Sequence, residues 1–197
     1  MKSYYLIIFA GANGVGKTTV SKEFLKNKKD YYFLNADEIA KEISPDDITA
    51  VRLSAGKTAI NKLDGLIENK KNIAFESTLS SRSYVVKKIE KAKKKEYKII
   101  IVYTFIDNPA LCIERIKDRV KKGGHYVPDE DVKRRFARSL YNFWNIYREM
   151  ADEWFLYYNM EKPLQVANGA GIKVKVSSSS KNLYDNFLKA VSNDKGN

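Results

Sequence analysis

Cysteine is almost absent from this chain, with one in 197 residues, and no apolar run approaches the ~18 residues that a membrane span requires. The lone Cys112 leaves no internal disulfide and no cysteine-based zinc cluster, which suits a reducing compartment. In the helical run Pro109-Ala110-Leu111-Cys112-Ile113 it reads as a buried structural residue rather than a nucleophile. The N-terminal apolar stretch follows a basic residue, but it leads into a glycine-rich turn instead of a small-residue cleavage site, so no signal peptide is expected. A cytoplasmic protein with no membrane partner is the expectation. Acid is also in short supply, at 24 Asp and Glu against 36 Lys and Arg for a formal net charge of +12. Such a field draws polyphosphates, nucleotide sugars, nucleic acid or an acidic protein. Much of the excess sits at Lys87, Lys88, Lys91, Lys93, Lys94 and Lys95, on a predicted exposed helix. A solvated face is the first reading there, ahead of a dedicated nucleic-acid patch.

Hydrophobic residues at 44% and charged residues at 30% are ordinary for a globular protein. The length fits one domain over residues 1–197, with an extension of weaker signal from about residue 155. Strand and helix patterns alternate along it. Strands are expected at 4–9, 31–34, 72–76 and 98–106, and helices at 17–25 and 81–95. Ser44-Pro45-Asp46-Asp47 reads as a helix start, followed by Ile48, Val51, Ala55, Ala59, Leu63 and Leu66 at three-four spacing. Asp107-Asn108-Pro109 reads as a turn or cap opening another helix. From Pro128 a long helix is expected to carry Val132, Phe136, Leu140, Phe143, Tyr147, Met150 and Trp154. The near-continuous apolar run at 98–106 implies a strand buried on both faces, as in a parallel sheet. The expected fold is therefore α/β, a doubly wound parallel sheet with its ligands at the C-terminal strand edge. Beyond Trp154, short strands at 155–158 and 164–167 suggest a small hairpin, 172–176 alternates like an edge strand, and 183–191 is amphipathic.

The chemistry starts at Gly11-Ala12-Asn13-Gly14-Val15-Gly16-Lys17-Thr18, with Thr19 following, a full match to G-x-x-x-x-G-K-[ST] between a strand and a helix. The glycines let successive N–H groups face one anion-sized hollow, and the helix adds its positive dipole end. Lys17 can reach the β- and γ-phosphates of ATP, and the Thr18 hydroxyl can ligate Mg²⁺.

Three acids fall at strand ends, where an open α/β sheet places its site: Asp37, Glu76 and Asp107. Asp37 suits a general base facing the γ-phosphate, or the N-cap of a short helix over 38–42. Glu76, Ser77 and Thr78 could bind substrate hydroxyls or metal-bound water, or else form a capping box for the next helix. Arg115, Arg119, Arg134, Arg135 and Arg138 surround a Gly123-Gly124 hinge, as in a lid whose planar guanidinium forks pair with phosphate oxygens; two of them are expected to touch phosphate. His125 at that hinge reads as a loop-fixing residue before an acid or base. Asn61-Lys62-Leu63-Asp64 spells the guanine-reading N-K-x-D of GTPases but lies in a helix-periodic stretch, and the match is read as chance. The L-S-G-G-Q signature of transporter ATPases is absent.

Together the phosphate loop, Asn35-Ala36-Asp37, Phe75-Glu76-Ser77-Thr78-Leu79-Ser80, Gly123-Gly124-His125-Tyr126-Val127-Pro128 and Arg134-Arg135-Phe136-Ala137-Arg138-Ser139-Leu140 resemble the zeta toxin family of P-loop kinases, over about residues 5–155. The short Gly-Gly-His lid is similar to a compact subgroup described as predicted ATPases. The resemblance implies a P-loop NTPase fold, a kinase-like doubly wound parallel sheet with a helical lid, together with transfer of the ATP γ-phosphate to the 3′-hydroxyl of the sugar in UDP-N-acetylglucosamine and an antitoxin protein that blocks the nucleotide site. It implies Asp37 as general base, Lys17 and Thr18 on phosphate and Mg²⁺, Glu76 with Thr78 along the acceptor, and Arg119 and Arg135 on the transferring group. Two other readings stay open: a nucleotide-binding or hydrolysing protein acting on an acidic protein or nucleic acid, and a nucleoside or nucleotide kinase.

Overall fold

The computed structural model describes residues 3–44, 47, 50–124 and 126–193. Its organising element is β1 (Tyr4–Ala10), whose Leu6, Ile7, Ile8, Phe9 and Ala10 are all buried. A strand with no polar face needs cover on both sides and strand neighbours on both edges. β3 (Asn72–Ser77) supplies one edge and β4 (Tyr97–Phe105) the other, both parallel to β1. With β2 (Tyr31–Leu34), β5 (Glu153–Asn159), β6 (Pro163–Ala170) and β7 (Lys173–Val176) they make a seven-stranded sheet in the order β2-β3-β1-β4-β5-β6-β7. β2 to β5 run parallel with β1, and β6 and β7 are antiparallel additions.

Helices cover the two faces unequally. α1 (Lys17–Leu25) packs Val20 and Phe24 on Ile7, Phe9 and Val102. The opposite face carries the larger core, where α3 (Arg52–Glu68), α4 (Ser83–Lys94), α6 (Asp129–Asn142) and α8 (Lys181–Asn193) contribute Leu63, Ile67, Ile89, Phe136 and Phe187. α2 (Ala36–Ile43) follows β2, and α5 (Pro109–Lys121) follows β4 with Pro109 in its first turn. Asn108 caps α5, its Oδ1 accepting from Ala110 N at 2.8 Å, while Asp107 accepts from the Tyr158 hydroxyl. Cys112 is buried in α5. No helix among the described residues is long and apolar enough to cross a membrane.

Two expectations fall outside the described residues, and the helix after Pro128 proves shorter than expected. Residues 45, 46, 48 and 49 lie outside the described residues, and so do the Pro45-Asp46 helix start and Ile48; α3 begins only at Arg52, and Ser44 closes α2. His125 lies outside them too. The long helix from Pro128 does not reach Trp154: α6 runs into a π-helical segment, Phe143–Tyr147, and a closing turn, α7 (Arg148–Met150). Ala151 then turns extended and Asp152 accepts from Ile99 N at 2.7 Å, which starts β5. Trp154 kept the helical spacing because its strand returns to the same core, where its ring packs edge-on against Phe143 and Trp144. Phe143 also stacks on Tyr103 at 4.1 Å, a pair worth about 0.5–1.5 kcal/mol beyond burial. The segment beyond residue 155 is no appendage, since β5 pairs with β4 and Trp154, Leu156, Val166 and Ala167 belong to the main core.

The lysine-rich α4 is partly neutralised from within. Lys88 and Lys91 pair with Asp64, and Lys91 and Lys95 with Glu68 at 3.0 and 2.8 Å, all across to α3. Asp64, the last residue of the N-K-x-D coincidence, is thus a structural ion-pair partner inside a helix. Burial pushes its carboxyl up, but the hydrogen bonds and charges of Lys88 and Lys91 outweigh that and hold it below its ordinary value. A depressed carboxyl stabilises the fold above its unfolded-state pKa, and that contribution disappears as pH falls through the folded value. Asp64→Asn is therefore expected to cost no more than about 1 kcal/mol at neutral pH and low salt, less in 1 M salt, and nothing at strongly acid pH. Urea unfolding of both proteins across pH and salt measures it.

Candidate active site

The parallel register carries the C-terminal ends of β1 and β3 to one level, with Phe9 opposite Glu76 and Ala10 opposite Ser77. The phosphate loop leaves β1 at that edge and enters α1 at Lys17. Gly14 and Gly16 both have positive φ, and neither position has room for a side chain. A Cβ at Gly14 would lie 2.5 Å from Cys112 O, and one at Gly16 would lie 2.2 Å from Asn159 Nδ2. No side chain caps α1 and no acid stands in its first turn, so its leading N–H groups and positive dipole end are offered to an anion.

Lys17 reaches back over this hollow, Nζ donating to Ala12 O at 2.9 Å. Burial lowers its pKa, against the pull of the nearby Glu76 and Asp37 carboxylates. Glu76 is anchored below it, accepting from Thr18 Oγ1 at 3.1 Å and from Ser21 Oγ at 2.9 Å. Burial raises the Glu76 carboxyl, opposed by Lys17 and these two hydroxyls. Glu76 therefore caps no helix; it stands behind the Thr18 hydroxyl. Thr18, Glu76 and Asp37 share one cleft, and such an all-oxygen set suits a hard divalent cation held mainly by phosphate and water. Among the described residues no cluster of three or more His, Cys, Asp or Glu is placed to hold a metal by itself.

The cap of α2 is Asn35, whose Oδ1 accepts from Asp37 N at 2.8 Å. That leaves the Asp37 carboxylate uncommitted to capping, half-exposed in the cleft, with Arg119 Nη1 at 3.6 Å from its Oδ2. The cleft, about 720 Å³, is lined by Asn13, Gly14, Gly16, Lys17, Thr18 and Thr19 on the loop side and by Asp37, Glu76, Ser77 and Thr78 opposite. Arg115, Arg119 and Arg135 also line it, whereas Arg134 and Arg138 do not. Arg135 bonds Asp131 at 3.1 Å and reaches Asn13 Oδ1 at 3.5 Å. Arg134 is engaged by Asp131 at 2.6 Å.

Ser77 and Thr78 shape the turn after β3. Ser77 Oγ accepts from Leu79 N, and the Thr78 and Ser80 hydroxyls bond each other at 2.8 Å. Leu79 is buried with φ 52°, a left-handed conformation unfavourable to leucine. It is held by Asn142, whose Nδ2 donates to Leu79 O at 2.8 Å, and by Tyr147, whose hydroxyl donates to Ser81 O at 2.5 Å. The π-helical segment of α6 and α7 thus braces one wall of the cleft.

Sequence reasoning missed Asn35 as the cap, Ser21 as a Glu76 partner, Gly56 of α3 in the lining, and Asn159, Met160 and Glu161 from the β5–β6 turn. Asn35 was legible in principle as an Asn two residues before an acid. The β5–β6 turn offered only turn chemistry, because its approach to the phosphate loop depends on strand order.

A glycine-rich loop between β1 and α1, a lysine folded over it, a hydroxyl backed by a carboxylate and a cleft ringed by arginines define the class: a P-loop kinase. Within that class the chain belongs to the zeta toxin family, whose sequence profile matches residues 2–168. An uncharacterized protein of Haemophilus influenzae is 31% identical over 130 residues, 66% of this chain and 91% of that protein. Crystal structures of the AvrRxo1-ORF1:AvrRxo1-ORF2 complex, with sulphate ions and with ATP, superpose at TM-scores of 0.77 and 0.75, with 16% identity over 96% of this chain. The chain spans 64% of the length of the matched AvrRxo1 chain. A structure of the PezAT chromosomal toxin-antitoxin system of Streptococcus pneumoniae matches at 0.64, with 14% identity over 98% of this chain and 88% of that one. These structural likenesses share the fold.

The lowered Lys17 pKa gives a signed pH dependence. A phosphate bound against Lys17 raises its pKa again, so polyphosphate affinity is complete below the free protein's value and falls as pH rises through it, earlier than for a lysine at its ordinary value. Calorimetry with inorganic tripolyphosphate at increasing alkaline pH should show this decline, and Lys17→Arg should abolish it.

Proposed function

We propose that the protein is an ATP-dependent kinase that transfers the γ-phosphoryl group to a hydroxyl of a small acceptor, with a nucleotide sugar such as UDP-N-acetylglucosamine as the acceptor to test first. Asp37 carries this reading. Because Asn35 takes the capping role, the Asp37 carboxylate stands open in the cleft that holds Lys17 and Thr18. ATP as donor is supported by the phosphate loop and by the related fold solved with ATP.

In this reading the loop amides and Lys17 bind the β- and γ-phosphates. Mg²⁺ held at Thr18, with Glu76 behind the hydroxyl, would supply neutralisation of charge on those phosphates. Asp37 accepts the acceptor's hydroxyl proton as its oxygen bonds to the γ-phosphorus, the bond to the β–γ bridging oxygen breaks, and ADP leaves. Arg119 and Arg135 pair with the oxygens of the group in transit. Geometry supports Glu76 on the metal side, which leaves Ser77 and Thr78 beside the acceptor. AvrRxo1 and PezAT are paired systems, which supports an antitoxin partner that covers this basic cleft. The engagement of Lys88, Lys91 and Lys95 by α3 acids weighs against α4 as a nucleic-acid surface.

Asp37→Asn is expected to slow acceptor phosphorylation by about 10²–10⁴-fold while ATP affinity stays within a few-fold of the parent. Labelled ATP, chromatography of the products and calorimetry measure both quantities. Undiminished turnover in the variant removes Asp37 as the base. No phosphorylated product from the parent protein with nucleotide sugars, nucleosides or RNA removes the kinase reading.

A further inference from the structure

Asn159 is 144 residues from the phosphate loop in sequence, yet its buried Nδ2 donates to Val15 O at 2.8 Å. A trans peptide unit carries its C=O and N–H on opposite edges of one plane. Holding Val15 O therefore directs the N–H of Gly16 to the side of the loop facing away from Asn159. A Cβ at Gly16 would lie 2.2 Å from Nδ2, so a side chain there would push Asn159 off Val15.

Asn159 is itself fixed. Its carbonyl accepts from Arg115 Nη1 at 3.0 Å, and the next carbonyl, Met160 O, accepts from Arg115 Nη2 at 2.7 Å. The planar fork of one arginine spans both carbonyls, so α5 and the turn after β5 form a brace beside the cleft that both residues line. β5 delivers the turn there through its parallel register with β4, which pairs Tyr158 with Phe105.

We propose that Asn159 is a positioning residue of the donor site: it locks the Val15–Gly16 peptide plane so that the Gly16 N–H is aimed at bound polyphosphate, and Arg115 keeps Asn159 in place to do so. A glycine-rich loop left alone would lose conformational freedom at the moment of binding. A side chain that orders the loop in advance removes that cost from the binding step. The proposal rests on the reading of the loop as a triphosphate cradle and is independent of the acceptor.

The test is calorimetric affinity for Mg-ATP and for inorganic tripolyphosphate, with no acceptor present. Asn159→Ala should weaken both by about tenfold and by the same factor, the size of one lost hydrogen bond to a charged group. Asn159→Asp is close to isosteric and carries the same test if the alanine variant does not fold. Its carboxylate, ionised at neutral pH, cannot donate to Val15 O, so it should weaken binding of both ligands by at least the factor expected for alanine. Loss of ATP affinity with tripolyphosphate untouched would mean that Asn159 serves the nucleoside instead, and would overturn the proposal. So would unchanged affinities in a folded alanine or aspartate variant. Failure of the kinase reading would show separately, as polyphosphate binding that still depends on Asn159 without any phosphorylated product.

Discussion

A buried ammonium needs negative charge near it, and Lys17 has two carboxylates in its field, Glu76 from β3 and Asp37 from α2. The arrangement is costly to both sides, since burial lowers the Lys17 pKa and raises that of Glu76. Burial thus works against the charged form of each group, a combination that clusters at functional sites, and the surrounding strands hold the two in that state. The β1–β3 register sets Glu76 beside the loop, and the hydroxyls of Thr18 and Ser21 keep its carboxylate from turning elsewhere.

The rest of the cleft is built by bracing from outside. Cys112 packs beneath Gly14, Asn159 grips the far side of the loop, and Asn142 with Tyr147 holds the strained Leu79 turn after β3. These braces come from α5, β5 and the α6–π-helix–α7 run, elements that contribute none of the residues of the phosphate loop itself. A loop of glycines is soft by composition, so its shape has to be supplied by neighbours. The segment beyond residue 155 accordingly does more than extend the sheet, since its first turn lines the cleft.

Most of the fold was legible because its signals are local. The strands at β1, β2, β3 and β4 are short apolar runs bounded by turns, and the α1 start coincides with the end of the phosphate motif. The helix after residue 128 was read too long for a physical reason: Trp154 buries its ring in the same aromatic cluster as Phe143 and Trp144, so the apolar spacing continues although the backbone has become a strand. The lysines of α4 looked free in sequence because Asp64 and Glu68 belong to another helix. Among the arginines, spacing alone could not separate Arg115, Arg119 and Arg135, which line the cleft, from Arg134 and Arg138, which do not.

The sequence by itself identified the phosphate loop, because eight contiguous residues between a strand and a helix carry the glycines, lysine and threonine at the spacing of an anion-binding turn. It also limited the candidate carboxylates to a few strand ends. Only the tertiary structure decided their placement. Asn35 took the cap and left Asp37 in the cleft; Glu76 turned to Thr18 across 58 residues, and Asn159 reached Val15 across 144. Those contacts depend on which strands lie side by side and in what register, a property of the assembled sheet that no local pattern encodes.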